Sequence, residues 1–580
     1  MSPKTLSRAA FAGILCLAIY IRGTAQEKVS WGDEFKMHKG STDLSILQAD
    51  ASGIYLEESH EVRSYFSRPR RSTTLVKLTT QMTEQYRNDF DHELKGKQFD
   101  RLFFIKEKLY LFATDYSKRE KSLYLYAAEV DKGSGNLKGD WQQVYAWEKV
   151  EKTENIDYAI GLSEDSTRII LTGTYTDKAQ NRYEIKMLDA SLRPVGKPFA
   201  IENEFDPKTF QVQDFVYTSA GNAILVGRIY AYEEGKKKKD KNLVFQNYNI
   251  RLYDLQGKMI KEIVTDIDGK YLVRGKVKQL KNELVLAAFY SNEKKKREIN
   301  GMLVQRLDPT TGNVLVSTKM DLNTSLISQV EDDDDDKKPS KKKDADDDNE
   351  GLAANLIFRN FYTTPDNGLI ILAERFDDRI QTSTMYMNNG MAGGGTYSTT
   401  TTETYTCGDM YMAKITLAGN IDWLHVLPKN QVENIVLGSS MSSGGPFYGY
   451  SYFNPANSHP FYAGFSSLAG SHTIHIFFND NDKNADVLQQ GKKIKRTTNF
   501  GRSSCYELNL DMVTGQYTRK ALYSNRDIPT SMPRLGAVMS NTIYLTGKED
   551  RYMGKSKIVV GKIICSDPVP GSGKGRLAAQ

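Results

Sequence analysis

Residues able to carry out catalysis occur in this chain without the spacing that a catalytic motif requires. The segment Gly449-Tyr450-Ser451-Tyr452-Phe453 begins like the G-x-S-x-G nucleophile elbow, but its last position is Phe453 instead of glycine. The glycine-rich segment from Gly571 to Gly575 lacks both the upstream glycine and the Ser or Thr of a phosphate-binding loop. The sequence therefore predicts no catalytic and no cofactor-binding residues.

Residues that bind metals are dispersed in the same way. The segment Asp480–Ala485 has oxygen ligands at positions 1, 3 and 5 of a calcium loop, but Ala485 and Gly491 replace the required Gly and Glu. His472 and His475 lie three positions apart on a predicted strand, so their side chains should point to opposite faces. We predict a polar turn at 480–485 and no metal-binding residues, with calcium as the one cofactor considered.

Three cysteines follow the N-terminal leader: Cys407, Cys505 and Cys565. Their wide spacing excludes a C-x-x-C redox or zinc motif. An oxidising compartment would allow one disulfide and leave one odd thiol, and the sequence does not specify the pairing. We expect buried small side chains with at most one bridge.

Residues 1–25 have the order of features of a secretory signal peptide. Lys4 and Arg8 are followed by an apolar stretch from Ala9 to Ile21 and by small residues suited to cleavage after Ala25. The apolar stretch is too short to span a bilayer, and no later stretch reaches the roughly 18 apolar residues of a membrane helix. We predict export to the periplasm, the cell surface or the exterior, and no membrane span.

A repeated unit must position any functional side chain, and it begins with a short β-branched or aromatic run. Copies start roughly 55 to 60 residues apart, with wider spacing where insertions lie. Each run is apolar and bounded by polar or turn residues, as a strand buried on both faces should be. The runs are residues 53–56, 109–112, 169–172, 223–226, 284–287, 369–372, 474–477 and 543–546.

A polar hairpin and a second strand, such as Met302 to Leu307, follow each run, and then comes a turn such as Asp308 to Val314. In these turns Gly supplies a positive φ and Asp or Asn bonds the local backbone. Cognate turns lie at 131–137, 254–259, 417–421 and 511–517. Blades of four antiparallel strands are typical of propellers.

We therefore predict an all-β fold, a β-propeller of about eight four-stranded blades over residues 26–565, with seven blades as the alternative. The last copy, Pro533 to Cys565, shows three strands, so the N-terminal segment from Trp31 to Lys36 is predicted to supply the fourth and close the ring. Over about Trp31 to Cys565 the pattern resembles the secreted β-propeller proteins of unknown function from Bacteroidota. That resemblance implies the fold and no activity.

Biased segments interrupt the repeat. Residues 331–350 are almost all charged and predict a disordered loop, as the Gly/Pro-rich tail at 566–580 does. Residues 383–406 read as a flexible Gly/Ser/Thr insertion inside a hairpin. Residues 439–465 form an aromatic-rich loop, whose rings either stack on a sugar or pack over the blades.

The absence of motifs favours an exported, non-catalytic binding or scaffold propeller that recognises an envelope protein or glycan through loops on one face. The alternative is a carbohydrate- or peptide-active hydrolase or lyase, with carboxylates converging from different blades at the central channel. A third reading is a calcium-stabilised glycan-binding module. Nucleic acid is not an expected partner, because 78 Lys and Arg against 72 Asp and Glu give no concentrated basic face. The sequence does not specify an oligomeric state.

Overall fold

The computed structural model describes residues 28–549, with gaps at 39–40, 65–66, 149–154, 164–166, 178–179, 219–220, 235–240, 264–269, 281, 294–298, 323–329, 332–355, 389–394, 438–458 and 489–492, together with residues 557–565 and 567. The predicted signal peptide therefore lies outside the described residues. So do the predicted loop at 331–350, except Glu331, and the tail at 566–580, except Asp567.

The described chain is built of strands, joined by turns and by short 3₁₀ turns at Asp482–Asn484, Phe500–Arg502 and Pro533–Leu535. No helix in these residues is long and apolar enough to cross a bilayer.

The first half of the chain forms two short strands and then four blades. The first two strands are β1 (Lys28–Trp31) and β2 (Phe35–Lys36). Blade 1 contains β3 (Ser41–Asp50), β4 (Gly53–Ser64), β5 (Ser67–Leu78) and β6 (Glu84–Asp89), and blade 2 contains β7 (Gln98–Ile105), β8 (Lys108–Ser117), β9 (Ser122–Val130) and β10 (Gln142–Glu148). Blade 3 contains β11 (Asn155–Leu162), β12 (Arg168–Thr176), β13 (Asn181–Asp189) and β14 (Phe199–Ala200), and blade 4 contains β15 (Phe210–Tyr217), β16 (Ala223–Glu234), β17 (Lys241–Tyr253) and β18 (Met259–Ile263).

The second half forms four more blades. Blade 5 contains β19 (Tyr271–Leu280), β20 (Glu283–Ser291), β21 (Gly301–Leu307) and β22 (Val314–Asp321). After β23 (Val330–Glu331), blade 6 contains β24 (Leu356–Thr363), β25 (Leu369–Asn388), β26 (Gly395–Ile415) and β27 (Ile421–Leu427), and β28 (Gln431–Leu437) pairs with β26. Blade 7 contains β29 (Phe465–Ala469), β30 (Thr473–Asp480), β32 (Ser504–Asp511) and β33 (Tyr517–Ser524), while β31 (Ile494–Lys495) pairs in parallel with β23. Blade 8 contains β34 (Thr530–Ser531), β35 (Ala537–Met539), β36 (Thr542–Glu549) and β37 (Lys557–Ile564).

Clusters of buried apolar side chains show that these sheets form a closed ring. Each of eight clusters within the described residues draws its members from two consecutive blades. The cluster that contains Leu56 and Val76 of blade 1 also contains Tyr544 and Val560 of blade 8. Burial of apolar surface between every neighbouring pair is the main force holding the ring together. The prediction of an eight-bladed all-β propeller is confirmed.

The N-terminal strand closes the last blade, as the sequence predicts. β1 pairs antiparallel with β37, from Lys28 opposite Ile564 to Trp31 opposite Gly561. β2 pairs with the beginning of the same strand. The absence of a side chain at Gly561 is required here, because an added Cβ would lie 2.5 Å from the Trp31 ring.

Each of the eight apolar runs lies in the second strand of its blade. The strand that the sequence analysis placed after each run is the third strand of the blade. The sequence therefore identified every blade but missed its innermost strand. In five blades the pairing of the first strand with the second contains a β-bulge, for example between Phe99 and Arg101 and between Val212 and Asp214. A bulge interrupts the alternation of side chains by which a strand is recognised in sequence.

The predicted turns lie between the third and fourth strands. Asp308 Oδ1 accepts hydrogen bonds from the backbone N–H groups of Thr310 and Thr311 at 3.0 and 2.7 Å, and Gly312 has φ +69°. These backbone bonds lower the pKa of Asp308. Asp131 and Asp511 make equivalent bonds. The turn chemistry predicted from the sequence is confirmed.

Candidate functional site

Antiparallel order places two kinds of connection on one face of the ring. The hairpins from second to third strand, and the links from the fourth strand to the next blade, leave from the same ends of the strands. We call this the upper face. The described parts of the segments singled out in the sequence, residues 331, 383–388, 395–406 and 459–464, belong to these connections.

The hairpin of blade 6 is far longer than its counterparts. β25 and β26 have 20 and 21 residues, whereas the second and third strands of the other blades have 7 to 13. β24 pairs with the first part of β25 only, residues 369–375, and this pairing ends where Leu356 lies opposite Arg375. Beyond that point β25 and β26 remain paired with each other, from Phe376 opposite Cys407 to Asn388 opposite Gly395. We call residues 376–407 the arm. It extends about 40 Å at ~3.3 Å per residue.

The described parts of the predicted insertion at 383–406 are strands of this arm, residues 383–388 and 395–406. Threonine is β-branched and favours strands, which explains how a Ser/Thr-rich segment forms a regular ladder. β28 pairs with β26 from Cys407–Gln431 to Thr401–Leu437, so the lower arm has three strands.

A buried ionic network fixes the root of the arm. Glu374 and Lys429 are both fully buried, and Lys429 Nζ donates to Glu374 Oε1 at 2.7 Å, to Gln431 Oε1 at 2.8 Å and to the Cys407 carbonyl at 3.1 Å. Arg359 Nε donates to Glu374 Oε2 at 2.7 Å. Burial alone would raise the pKa of Glu374, but the charges of Arg359 and Lys429 outweigh burial and lower it.

The described end of the aromatic-rich segment, residues 459–465, is held against this network. Glu433 accepts backbone N–H bonds from Phe461, Tyr462 and Ala463 at 2.8, 2.7 and 2.9 Å. Its burial raises the pKa of Glu433, which those N–H bonds partly offset. The cost of burying a carboxylate is thus met by a set of fixed donors.

The described rings of that segment pack on the protein itself. Tyr462 stacks on Phe500 with ring centroids 5.8 Å apart, and Phe465 is buried in β29. Lys548 lies over the Phe461 ring at 4.7 Å. For 459–465 this agrees with rings that pack over the blades or continue a strand. Residues 439–458, with the other rings of the segment and the incomplete nucleophile elbow, lie outside the described residues.

Neutral hydrogen bonds lock blades 7 and 8 beneath the segment. Asn479 Nδ2 donates to the carbonyls of Tyr462 and Ser531 at 3.1 and 2.8 Å. Asn525 Nδ2 donates to Asn479 Oδ1 at 3.0 Å, and Ser531 Oγ donates to Asn525 Oδ1 at 2.9 Å. Buried polar groups satisfied in this way hold the segment to blades 7 and 8.

The innermost strands carry the carboxylates on which a catalytic reading would depend. Asp100 is paired with Arg101 at 2.7 Å and accepts a hydrogen bond from Tyr158 at 2.6 Å. Burial raises the pKa of Asp214 to about 7, with Lys276 acting in the opposite direction. Burial also raises the pKa of Asp157. Among the described carboxyl groups, Asp214 is therefore well suited to hold a proton near neutral pH.

The residues considered for metal binding in the sequence have other partners. Asp480 accepts hydrogen bonds from Asn484 and Thr497 and pairs with Arg519 at 2.8 Å, so 480–485 is a polar turn, as predicted. His475 is buried with its Nδ1 2.7 Å from Glu507, whereas His472 precedes the strand and is exposed.

The described cysteines are buried and not disulfide-bonded. Cys407, Cys505 and Cys565 are all free thiols, so the single bridge allowed by the sequence does not form. Burial raises the pKa of both Cys407 and Cys505 to about 12, which keeps them as thiols.

The structure also brings together residues that the sequence analysis did not single out. His38, between β2 and β3, lies beside His60 of β4 and Asp89 at the end of β6. Their separation along the chain follows no metal-binding spacing, and only the fold places them together. The Glu374–Lys429 pair was missed for the same reason.

Comparison of the fold with solved structures gives distant neighbours. Polysaccharide lyase Uly1 is 11% identical with a TM-score of 0.36, over 94% of this chain and 94% of its own. The GH32 β-fructofuranosidase BmSUC1 of Bombyx mori is 8% identical with a TM-score of 0.26, over 97% and 98%. Prolyl oligopeptidase B of Galerina marginata is 11% identical with a TM-score of 0.27, over 56% of this chain.

The chain spans 37% of the length of that prolyl oligopeptidase. At this level of similarity the neighbours indicate no activity for this chain. No protein-family model and no curated protein sequence matches it.

Proposed function

We propose that this is an exported, non-catalytic scaffold propeller that binds an extended segment of a partner protein along the arm. The observation that carries the proposal is the open edge of β25. Beyond Arg375, β25 pairs with β26 only, among the described residues, and so one row of its backbone N–H and C=O groups has no strand beside it. Such an edge accepts an extended peptide as an additional strand.

The sequence of this edge lacks the features that protect most edge strands from pairing, and this supports a binding role. Natural edge strands are usually protected by charges or proline. Near its root the arm has such protection, since Arg379 pairs with Asp377 at 2.7 Å. From Ile380 to Asn388 there is neither a charged residue nor a proline. Ile380 is 65% exposed, the largest such fraction among the exposed apolar residues described.

The rigid root supports the same function. A binding element is most effective when its own conformation is fixed before the partner arrives, because less entropy is lost on association. The Glu374–Lys429–Gln431 network and β28 provide this fixation for the arm. We place the partner in the envelope or outside the cell, because the N-terminal 25 residues have the pattern of a cleaved leader.

The test uses a short-arm variant and a point variant. Arg379 and Thr404 are antiparallel partners, so replacing 380–403 by Asn-Gly should close the hairpin with a two-residue turn. The point variant is Ile380→Lys. Its matched control is Leu315→Lys, an exposed apolar residue (55%) on the outer strand of blade 5. Companions are captured by crosslinking from the native envelope and identified by mass spectrometry.

A companion is then purified and its binding measured directly. We expect equal affinity for the unmodified chain and Leu315→Lys, a loss of about tenfold or more for Ile380→Lys, and no binding to the short-arm variant. A companion that binds the short-arm variant unchanged would overturn the proposal. Failure to find any companion, followed by turnover in a screen of glycans and peptides, would favour the hydrolase or lyase reading.

Export is tested separately. Cell fractionation and N-terminal sequencing should find the mature chain outside the cytoplasm, beginning at Gln26. A cytoplasmic chain that retains Lys4 would show that the partner is not an envelope protein.

A further inference from the structure

We infer that His38, His60 and Asp89 form a binding site for a divalent transition-metal ion of the Zn²⁺ type, at the point where the ring closes. His38 Nε2 lies 3.1 Å and His60 Nε2 lies 4.0 Å from the same oxygen, Asp89 Oδ2. One ligand atom from each of the three residues lies within 4.8 Å of the others. Two imidazole nitrogens with a carboxylate are a common ligand set for zinc.

The spacing suits an ion without rearrangement of the fold. Zinc bonds of about 2.0 to 2.2 Å to nitrogen and oxygen place the ligand atoms of a tetrahedral site roughly 3.3 to 3.6 Å apart. The two nitrogen–oxygen distances bracket that range. The imidazole rings lie side by side, with centroids 4.2 Å apart and an interplanar angle of 31°. Asp91 Oδ1 lies 3.0 Å from His60 Nε2, so a second carboxylate borders the site on the side of His60.

Surrounding groups hold the ligands in these positions. Asp89 Oδ1 accepts the backbone N–H of Asp91 at 2.8 Å, so its other oxygen faces the imidazoles. Glu58, which is fully buried, accepts the backbone N–H of His38 at 2.6 Å and a bond from Arg87 Nη1 at 2.7 Å. These bonds fix the main chain at His38 and the orientation of the Asp89 carboxylate.

The site is also accessible from solvent. The His60 side chain is 2% exposed, but those of His38 and Asp89 are 31% and 34% exposed. An ion can therefore reach the ligands from one side, and the buried imidazole forms the floor of the site. The second cluster of metal-binding residue types, His475, Glu507 and Cys565, is buried throughout and has no such opening.

The position of the site suggests what the ion does. His38 lies two residues after β2, which pairs with β37 of blade 8, whereas His60 and Asp89 belong to blade 1. An ion bound by all three would tie the closing segment to the first blade. Since it binds the folded ring and not the unfolded chain, it would stabilise the closed form.

The test uses untagged full-length mature protein, freed of metal by chelation and dialysis and titrated with ZnCl₂. We expect one Zn²⁺ per chain by calorimetry and a thermal midpoint raised by ~2–4 °C. Co²⁺ should produce the visible absorption of a nitrogen- and oxygen-ligated site. Mg²⁺, which prefers oxygen ligands, should not substitute.

The variants are His38→Ala and Asp89→Asn, both at partly exposed positions, with His92→Ala as the control, an exposed histidine next to Asp91. Each ligand variant should fold, as shown by circular dichroism, and bind Zn²⁺ at least about tenfold more weakly. His92→Ala should bind as the unmodified chain does. Absence of saturable Zn²⁺ binding, or binding that both ligand variants leave unchanged, would overturn the inference.

Discussion

Lys429 and Glu374 form an ion pair of 2.7 Å in which neither side chain is exposed to solvent. The pair joins the segment after β27 to the second strand of blade 6, at the root of the arm. Breaking one half of a buried ion pair leaves the other charge poorly compensated. If Lys429 is replaced, Glu374 keeps Arg359 as its charged partner, but only at one of its two carboxylate oxygens.

We predict that Lys429→Met destabilises the protein by about 3 kcal/mol, because the Cys407 carbonyl and Gln431 also lose their donor. Chemical denaturation at pH 7 measures the loss. Lys258→Met, at an exposed position, is the control and should change stability by less than ~0.5 kcal/mol. Adding Glu374→Gln to Lys429→Met should recover part of the loss, and a double variant less stable than Lys429→Met alone would contradict this account.

We predict that Trp31→Ala opens the ring at its seam. The Trp31 ring covers Gly561 and meets Tyr523 edge-on with centroids 5.0 Å apart, so its removal leaves a gap between β1, β37 and blade 7. We expect a loss of about 2–4 kcal/mol and faster amide exchange in β1 and β37. Trp141→Ala is the control, because it should leave exchange in those two strands unchanged. Gly561→Val should reproduce the seam effect by steric clash.

We predict that Asp214→Asn stabilises the protein at neutral and alkaline pH. Burial raises the pKa of Asp214 to about 7, so the folded state binds a proton that the unfolded state has released. The native carboxyl therefore costs stability as pH rises from about 4 to about 7, and the full cost, roughly 4 kcal/mol, applies above pH 7. Denaturation midpoints at pH 4 and pH 8 measure it.

At pH 4 the Asp214→Asn and unmodified chains should have equal stability, and at pH 8 the variant should be the more stable. The exposed Asp527→Asn is the control and should show no such difference. An Asp214→Asn chain that is less stable at pH 8 would show that the carboxylate is compensated in the folded protein.

We predict that the short-arm variant keeps the thermal midpoint of the unmodified chain to within ~3 °C. Among the side chains that the structure describes, the clusters that join neighbouring blades include no residue from 380–403, and we therefore expect the ring not to depend on the arm beyond its root. Differential scanning calorimetry measures the midpoint. A large decrease would mean that the arm is part of the core. Any loss of partner binding by the short-arm variant could then reflect misfolding, and the Ile380→Lys variant would decide the question.

The sequence predicted the blades because second strands such as Ile169–Thr172 are apolar on both faces and stand out from their surroundings. It missed innermost strands such as β11, where Asp157 interrupts the apolar pattern, and β15, where a bulge shifts the alternation. The turns at Asp308 and its counterparts were predicted because their hydrogen bonds are local.

The candidate sites were not predictable in the same way. Glu374 and Lys429 are 55 positions apart, and His38 lies in a connection whereas Asp89 ends a strand, so only the ring brings them together. The arm was interpreted as a flexible insertion because its Gly and Ser/Thr content resembles a linker. The same threonines are β-branched and are equally compatible with a strand, and pairing with β28 favours the strand conformation.

The pairing of β1 with β37 has a mechanical consequence. Lys28 lies opposite Ile564, so the first residue of one strand and the last of the other are neighbours. A tension applied to Lys28 and Ile564 would act in unzipping geometry, breaking the hydrogen bonds of this seam one after another. In shear geometry all of these bonds would bear the load together. The propeller should therefore yield at low force between β1 and β37 while the other seven blades stay intact, and any tether on either end would act first on the ring's closure.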